Sequence, residues 1–203
     1  MASPARQRII EAALDLIREK GIGRVTTKEI AAAAGAAEGS LFKNFGDKMG
    51  LLTELLSFEL PENRAWREVG VVIPPGQGDI VAALVASMQR AIDFYAAALP
   101  LIAGSYADQE LFRRHRDRNR ERGTGPQLAM EAVSDYLRGW QEAGHLDSHA
   151  DCYTIALALC GSAQMYAYTQ AVAGADVLPR SRDALVHGVI ETVAGPHLVR
   201  TPA

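Results

Sequence analysis

Three groups of residues in this 203-residue chain carry side chains able to do chemistry: a polar set from Thr26 to Lys48, an arginine run from Arg113 to Arg122, and the trio His145, His149 and Cys152. The first group reads TTKEIAAAAGAAEGSLFKNFGDK. Thr26 and Glu29 have the spacing of a capping box, in which the hydroxyl takes an orphan backbone N–H and the carboxylate reaches back to the cap. Ile30, Ala31 and Ala34 then form a small apolar face at helical spacing, and Gly35 closes the helix by entering the left-handed region without a Cβ penalty. A second helix restarts at about Ala37, with Leu41 and Phe45 inward and Glu38, Ser40, Lys43 and Asn44 outward. Gly46 and Asp47 end it and cap the next. Two short helices across a tight turn make a helix-turn-helix, the motif that lays its second helix in the major groove of DNA.

The other two groups point less far. RRHRDRNRER holds six arginines in ten residues. It could bind an anion or nucleic acid, but a solvated helix face braced by pairs such as Arg113 with Asp117 is the simpler reading. His149 and Cys152 lie one helical turn apart, yet a metal would need a third or fourth ligand, and only Asp147 and Asp151 are near. Polar residues at a turn account for them, and no metal is expected. Cys152 and Cys160 share one helix, too far apart to bridge. Two cysteines suggest a reducing compartment without a disulfide framework. No G-x-S-x-G, no phosphate-cradling glycine loop and no histidine beside an activated nucleophile is present, so neither enzymatic activity nor a cofactor is expected.

The stretch TTKEIAAAAGAAEGSLFKNFGDKMGLL resembles the DNA-binding signature of the TetR (tetracycline-repressor-like) transcriptional regulators, roughly T-x-x-x-I-A-x-x-A-G-V-S-x-G-x-L-Y-x-H-F-x-x-K-x-x-L. The shared positions are Thr26/Thr27, Ile30, Ala31, Ala34, Gly35, Gly39, Leu41, Phe42, Phe45, Lys48 and Leu51, all in the first quarter of the chain. The resemblance implies a DNA interface built from Thr26, Thr27, Lys28, Glu38, Gly39, Ser40, Phe42, Lys43, Asn44 and Lys48. In it Thr27 and Lys48 hold phosphates, while Lys28, Glu38, Ser40, Lys43 and Asn44 face the groove. Three positions depart from the signature. Ala37 replaces a capping Ser or Thr, a loss of about 1 kcal/mol; Phe42 lacks the hydroxyl of the usual Tyr; Asn44 stands for His.

What the resemblance implies for the whole chain goes further. It implies a repressor that binds double-stranded operator DNA as a homodimer, paired through the last two long helices, and is released by a small apolar effector. An activator of the same family is the alternative, as is a helical interaction protein that has lost specific DNA binding. Methionine and aromatic side chains suit an adaptable apolar cavity, and Met88, Tyr95, Tyr136, Trp140, Met165 and Tyr166 are the expected wall.

Helices must position all of this. Apolar periodicity and Gly/Pro punctuation give an all-α chain of nine to ten helices with no strand. Residues 1–48 form the DNA-binding domain, a fourth helix from Lys48 to about Glu68 connects, and residues 49–203 form the ligand-binding and dimerisation domain. Pro100 is expected to end the fifth helix or open a short sixth. The helix from His149 to Ala173 is apolar almost all round and must be covered on several sides, and Pro179 opens the last helix. Residues 1–50 carry eight Lys and Arg against six Asp and Glu, the remainder thirteen against eighteen, which leaves a mildly basic head on an acidic body. No signal-peptide pattern is seen, and the longest strongly apolar stretch, Ile155–Ala163, is too short to span a bilayer. A cytoplasmic protein without membrane partners is expected.

Overall fold

The computed structural model describes residues 4–57, 73–123 and 125–199. Among them nine α-helices follow one another: α1 Pro4–Lys20, α2 Thr27–Ala33, α3 Glu38–Phe45, α4 Lys48–Ser57, α5 Ile80–Tyr106, α6 Gln109–Arg122, α7 Gln127–Glu142, α8 Cys152–Ala173 and α9 Arg182–Val193. They group into two compact units. The first gathers the described residues of Met1–Pro61 with Ala98–Gly125; the second gathers those of Glu62–Ala97 with Pro126–Ala203.

In the first unit α1 supplies an apolar stripe, Ile9, Ile10, Ala13, Leu14 and Ile17, that is wholly buried. Ile30 and Ala31 of α2, Leu41 of α3, and Leu51, Leu52 and Leu55 of α4 are buried with it. The capping box forms as its spacing dictates. Thr26 Oγ1 accepts from the Glu29 N–H at 3.2 Å, and Glu29 Oε2 accepts from the Thr26 N–H at 3.0 Å. Gly35 takes φ +59° in the turn that follows.

In the second unit Ile80, Leu84, Met88 and Ile92 of α5 form one core with Val133, Leu137 and Trp140 of α7, Ile155, Leu159 and Cys160 of α8, and Val186 and Ile190 of α9. Trp140 is fully buried, with Tyr136 and His145 edge-on to its ring.

Several sequence expectations need correction. Pro100 neither ends a helix nor opens one; α5 runs through it for 27 residues. A proline inside a helix costs about 3 kcal/mol. Here it sits on the exposed side, while Ala98 and Leu101 beside it are buried and offset that cost. The longest apolar helix is therefore α5 rather than Ile155–Ala163. It is the one helix among the described residues long and apolar enough to cross a membrane, but its face from Ile80 to Ile92 is spent on the core. α8 starts at Cys152 rather than His149, because Asp151 Oδ1 accepts from the N–H groups of Tyr153 and Thr154. α9 starts after Pro179, where the Ser181 hydroxyl caps Ala184 N–H at 3.3 Å. The tail after Gly195 is tied to the turn at Leu146. Leu198 makes an isolated antiparallel bridge with Leu146, closed by Asp147 N–H to His197 O at 2.8 Å and Val199 N–H to His145 O at 3.1 Å. The fourth helix as expected beyond Ser57 lies outside the described residues.

The α2 cap gives the first prediction. Hydrogen bonds from Thr26 and Lys20 hold the Glu29 carboxyl at about 2 instead of 4.5. A depressed carboxylate contributes stability that is complete above its ordinary pKa and is lost as pH falls towards the folded value. Thr26→Ala should lower unfolding stability in urea by about 1 kcal/mol. Glu29→Gln should flatten the loss of stability between pH 4.5 and 2. An acid limb identical to that of the parent chain would show that the box contributes nothing.

Candidate nucleic-acid interface

The recognition element is α3, eight residues long. Leu41 is its anchor, 0% exposed, while Phe42, Lys43 and Asn44 on the following positions are exposed. Its N-cap, Ala37, makes no side-chain hydrogen bond, as its missing hydroxyl requires. The start of α3 carries instead a contact that the sequence did not suggest. Thr27 Oγ1, at the start of α2, donates to Glu38 Oε1, at the start of α3, at 2.6 Å. The residue expected on a phosphate and one expected in the groove are thus bonded to each other, and a phosphate taken by the Thr27 hydroxyl has to displace Glu38.

At the far end of α3 the chain turns sharply. Gly46 adopts φ +80°, ψ −56°, and a Cβ on Gly50 would lie 2.0 Å from the Phe45 carbonyl oxygen. Only glycine lets the first turn of α4 approach the end of α3 so closely. Asp47 then caps α4, its Oδ1 accepting from Gly50 N–H at 2.5 Å. That backbone bond, and then Arg114 beside it, holds the Asp47 carboxyl below its usual range. Lys48 follows as the first residue of α4, half-buried.

The remaining expected residues fall as follows. Lys28 and Gly39 are exposed, Ser40 is half-buried, and Thr26 is committed to the capping box. Asn44 Nδ2 donates to Ser40 O at 2.7 Å, within its own helix. Phe42 is 46% exposed, a large ring kept out of the core. It is suited to apolar contact with a thymine methyl.

Charge in this unit is sorted. Lys20 pairs with Glu29, Arg6 with Glu54, Arg114 with Asp47, and Arg118 with Glu54. Among the described residues Lys28, Lys43 and Lys48 have no carboxylate partner, and neither does Arg24, which is exposed two residues ahead of the α2 cap. Arg24 is the one cation of this group that sequence reasoning passed over, and only its basic type in the turn before α2 signals it.

The six residues expected to wall a cavity fall in different surroundings. Met88, Met165 and Tyr166 border an open apolar groove of about 500 Å³ between α8 and α9. Met88 also touches an internal space of about 20 Å³ lined by Leu84, Ser87, Ala91, Val133, Leu159 and Cys160. The Tyr136 hydroxyl is spent on Ile73 O at 2.6 Å. Burial, and then Cys160, push the Tyr95 hydroxyl up, and burial raises the Cys160 thiol to about 11. That thiol is fully protonated at neutral pH and a poor nucleophile. Trp140 is core.

A buried-anchor helix with outward polar residues, set behind a capped helix, forms a helix-turn-helix, the arrangement that can lay its second helix in the major groove of DNA. Residues 9–55 match the model of the bacterial regulatory proteins of the tetR family. The chain is 29% identical over 155 residues to YvkB of Bacillus subtilis (strain 168), an uncharacterized HTH-type transcriptional regulator, covering 74% of this chain and 77% of that one. Its fold is that of a protein assigned as a TetR-family transcriptional regulator from Mesorhizobium loti MAFF303099, with TM-score 0.78 at 20% identity over 96% and 97% of the two chains. It is also that of FadR from Bacillus subtilis in complex with stearoyl-CoA, with TM-score 0.64 at 17% identity over 93% and 97%. Residues 9–55 are thus similar to the DNA-binding region of the tetR-family regulators, and the described residues share their all-α fold.

Lys48 supplies the second prediction. A phosphate contact adds affinity regardless of sequence and releases counterions. Lys48→Ala should weaken binding to operator and random DNA alike and lower the slope of log K against log salt by about one unit. An unchanged slope in a salt titration would take Lys48 out of the interface.

Proposed function

We propose that this chain is a repressor that binds a two-fold operator as a homodimer and leaves it when an apolar small molecule enters the second compact unit. The observation that carries the DNA-binding part is the sorting of charge. Lys20, Arg6, Arg114 and Arg118 are neutralised by carboxylates, whereas Lys28, Lys43 and Lys48, on or next to the recognition elements, are left for phosphates. In this proposal Thr27 and Lys48 position the head on the backbone, and Lys28, Glu38, Ser40, Lys43 and Asn44 read the groove with Phe42.

The dimer rests on α8. Its inner face, Ile155, Ala156, Leu159, Cys160, Ala163 and Ala167, is buried in the chain's own core. Its outer face is apolar as well: Leu157, Met165, Tyr168 and Val172 recur at helical spacing and are exposed. An apolar stripe of that length on a water-facing helix calls for a partner surface. With Leu185 and Val189 of α9 along the same groove, a second copy is the partner proposed. Ala163, at 0% exposure, belongs to the fold and not to this face. A charge there would unfold the chain and not divide the dimer. Met165→Glu, at a position 62% exposed, should give a folded monomer by light scattering that no longer retains the full operator. A dimer that persists in this variant would send the interface elsewhere.

For the effector, the structural likeness to the stearoyl-CoA complex of Bacillus subtilis FadR supports an apolar ligand. The internal space of about 20 Å³ between α5, α7 and α8 holds no more than a water, so a ligand must open it by moving Leu84, Met88 or Leu159. Linkage is reciprocal: a ligand that lowers operator affinity about 100-fold binds the operator complex about 100-fold more weakly. A ligand found by thermal shift should therefore compete with DNA in titration. One that raises the melting temperature but leaves operator affinity unchanged is no inducer.

A further inference from the structure

The bond between Thr27 and Glu38 sets two parts of the candidate interface against each other. Thr27 opens α2 and Glu38 opens α3, and Thr27 Oγ1 donates to Glu38 Oε1 across the turn between them at 2.6 Å. A threonine hydroxyl has one proton to donate. A phosphate oxygen therefore wants what the carboxylate already holds, and the two anions also repel each other. For Thr27 to take a phosphate, Glu38 has to turn away and find another donor. An ionised carboxylate only accepts hydrogen bonds. In the major groove guanine offers two acceptors, thymine an acceptor and a methyl, and adenine a donor beside an acceptor. Cytosine alone offers a donor with no acceptor next to it. Its edge is the one that suits a carboxylate exposed at the start of a recognition helix, as Glu38 is.

We propose that Glu38 is a specificity-determining residue that reads cytosine: it withholds the Thr27 hydroxyl from DNA phosphate until a cytosine amino group takes the hydroxyl's place. The inference rests on the DNA-binding function proposed above and names one base of each operator half-site. On the operator, cytosine N4–H donates to Glu38, and the freed Thr27 hydroxyl donates to a phosphate oxygen. On DNA without that cytosine, Glu38 either keeps Thr27 or faces the phosphates with no donor. Both outcomes weaken binding, the first by a lost hydrogen bond and the second by repulsion. Glu38 thus discriminates as much by penalising wrong sequences as by favouring the right one. Thr27 itself reads no base; its hydroxyl is the backbone contact that the correct base releases.

The test uses the full-length protein and begins with selection from a pool of random duplexes by the parent chain and by Glu38→Gln. The parent should enrich cytosine at one fixed position of each half-site. Glu38→Gln should enrich adenine there, because a glutamine amide pairs with adenine N6 and N7, and should leave the rest of the site unchanged. A merely structural role for Glu38 would weaken all sequences alike and exchange no base. Affinity is then measured for an alternating adenine–thymine duplex, which holds no cytosine. Glu38→Ala should bind it about tenfold more tightly than the parent, since a carboxylate near phosphates is gone and Thr27 is free. With Thr27→Val already in place, the same change should gain only about threefold, because no hydroxyl remains to be released. A selected site without the cytosine, or one whose cytosine survives Glu38→Gln, would overturn the proposal. So would an adenine–thymine affinity that does not rise in Glu38→Ala, or that rises equally with and without the Thr27 hydroxyl. A parent that enriches a two-fold site indifferent to residue 38 refutes this inference alone. One that retains no duplex at all refutes the function proposed above, and this inference with it.

Discussion

An eight-residue helix is not stable by itself in water. Nucleation costs more than so few hydrogen bonds return, and α3 lacks even a side-chain cap. Everything that shapes the first compact unit answers to this. Leu41 ties α3 down by burial, and the Thr27–Glu38 bond joins its start to α2. The Gly46–Gly50 junction sets its end against α4. A reading surface must expose polar groups and a ring such as Phe42, so α3 can commit few of its own side chains to holding itself in place. Most of the holding falls to its neighbours.

The second unit meets the opposite problem. α8 is apolar on both sides, and one chain can bury only one of them. Small residues on the inner side, Ala156 and Ala163, let it sit close to its neighbours. The larger Leu157, Met165 and Tyr168 are left to the outside. The register of α8 therefore divides the apolar side chains taken up by the chain's own core from those left exposed.

Local chemistry was legible in the sequence, and distant chemistry was not. The Thr26–Glu29 box, the turn at Gly35 and the inward Leu41 all follow from spacings of a few residues, and each stands where those spacings put it. Pro100 misled because its local cost is outweighed by burial of Ala98 and Leu101, which no rule about proline contains. The arginines of α6 invited pairing within their own helix. Arg114 does pair with Glu110, but its other partner, Asp47, lies 67 residues away, and Arg118 finds Glu54 at a distance of 64. The surroundings of the expected pocket residues were hidden for a related reason. Composition says that methionines and aromatics are present, but tertiary packing decides that Trp140 is core and Met165 is surface.

The first compact unit is not continuous along the chain, since α6 and the end of α5 join it from beyond residue 97. Synthesis proceeds from the N-terminus, and domains generally fold as their residues emerge. A growing chain therefore carries the whole candidate interface, from Thr26 to Lys48, long before Arg114 and Arg118 exist. Until they are made, Asp47 and Glu54 lack those two counterions, and Glu54 rests on Arg6 alone. A nascent or prematurely terminated chain carries the recognition helix without its full support. The support around α3 is thus completed only once the chain has grown past Arg118, well after α3 itself has been made.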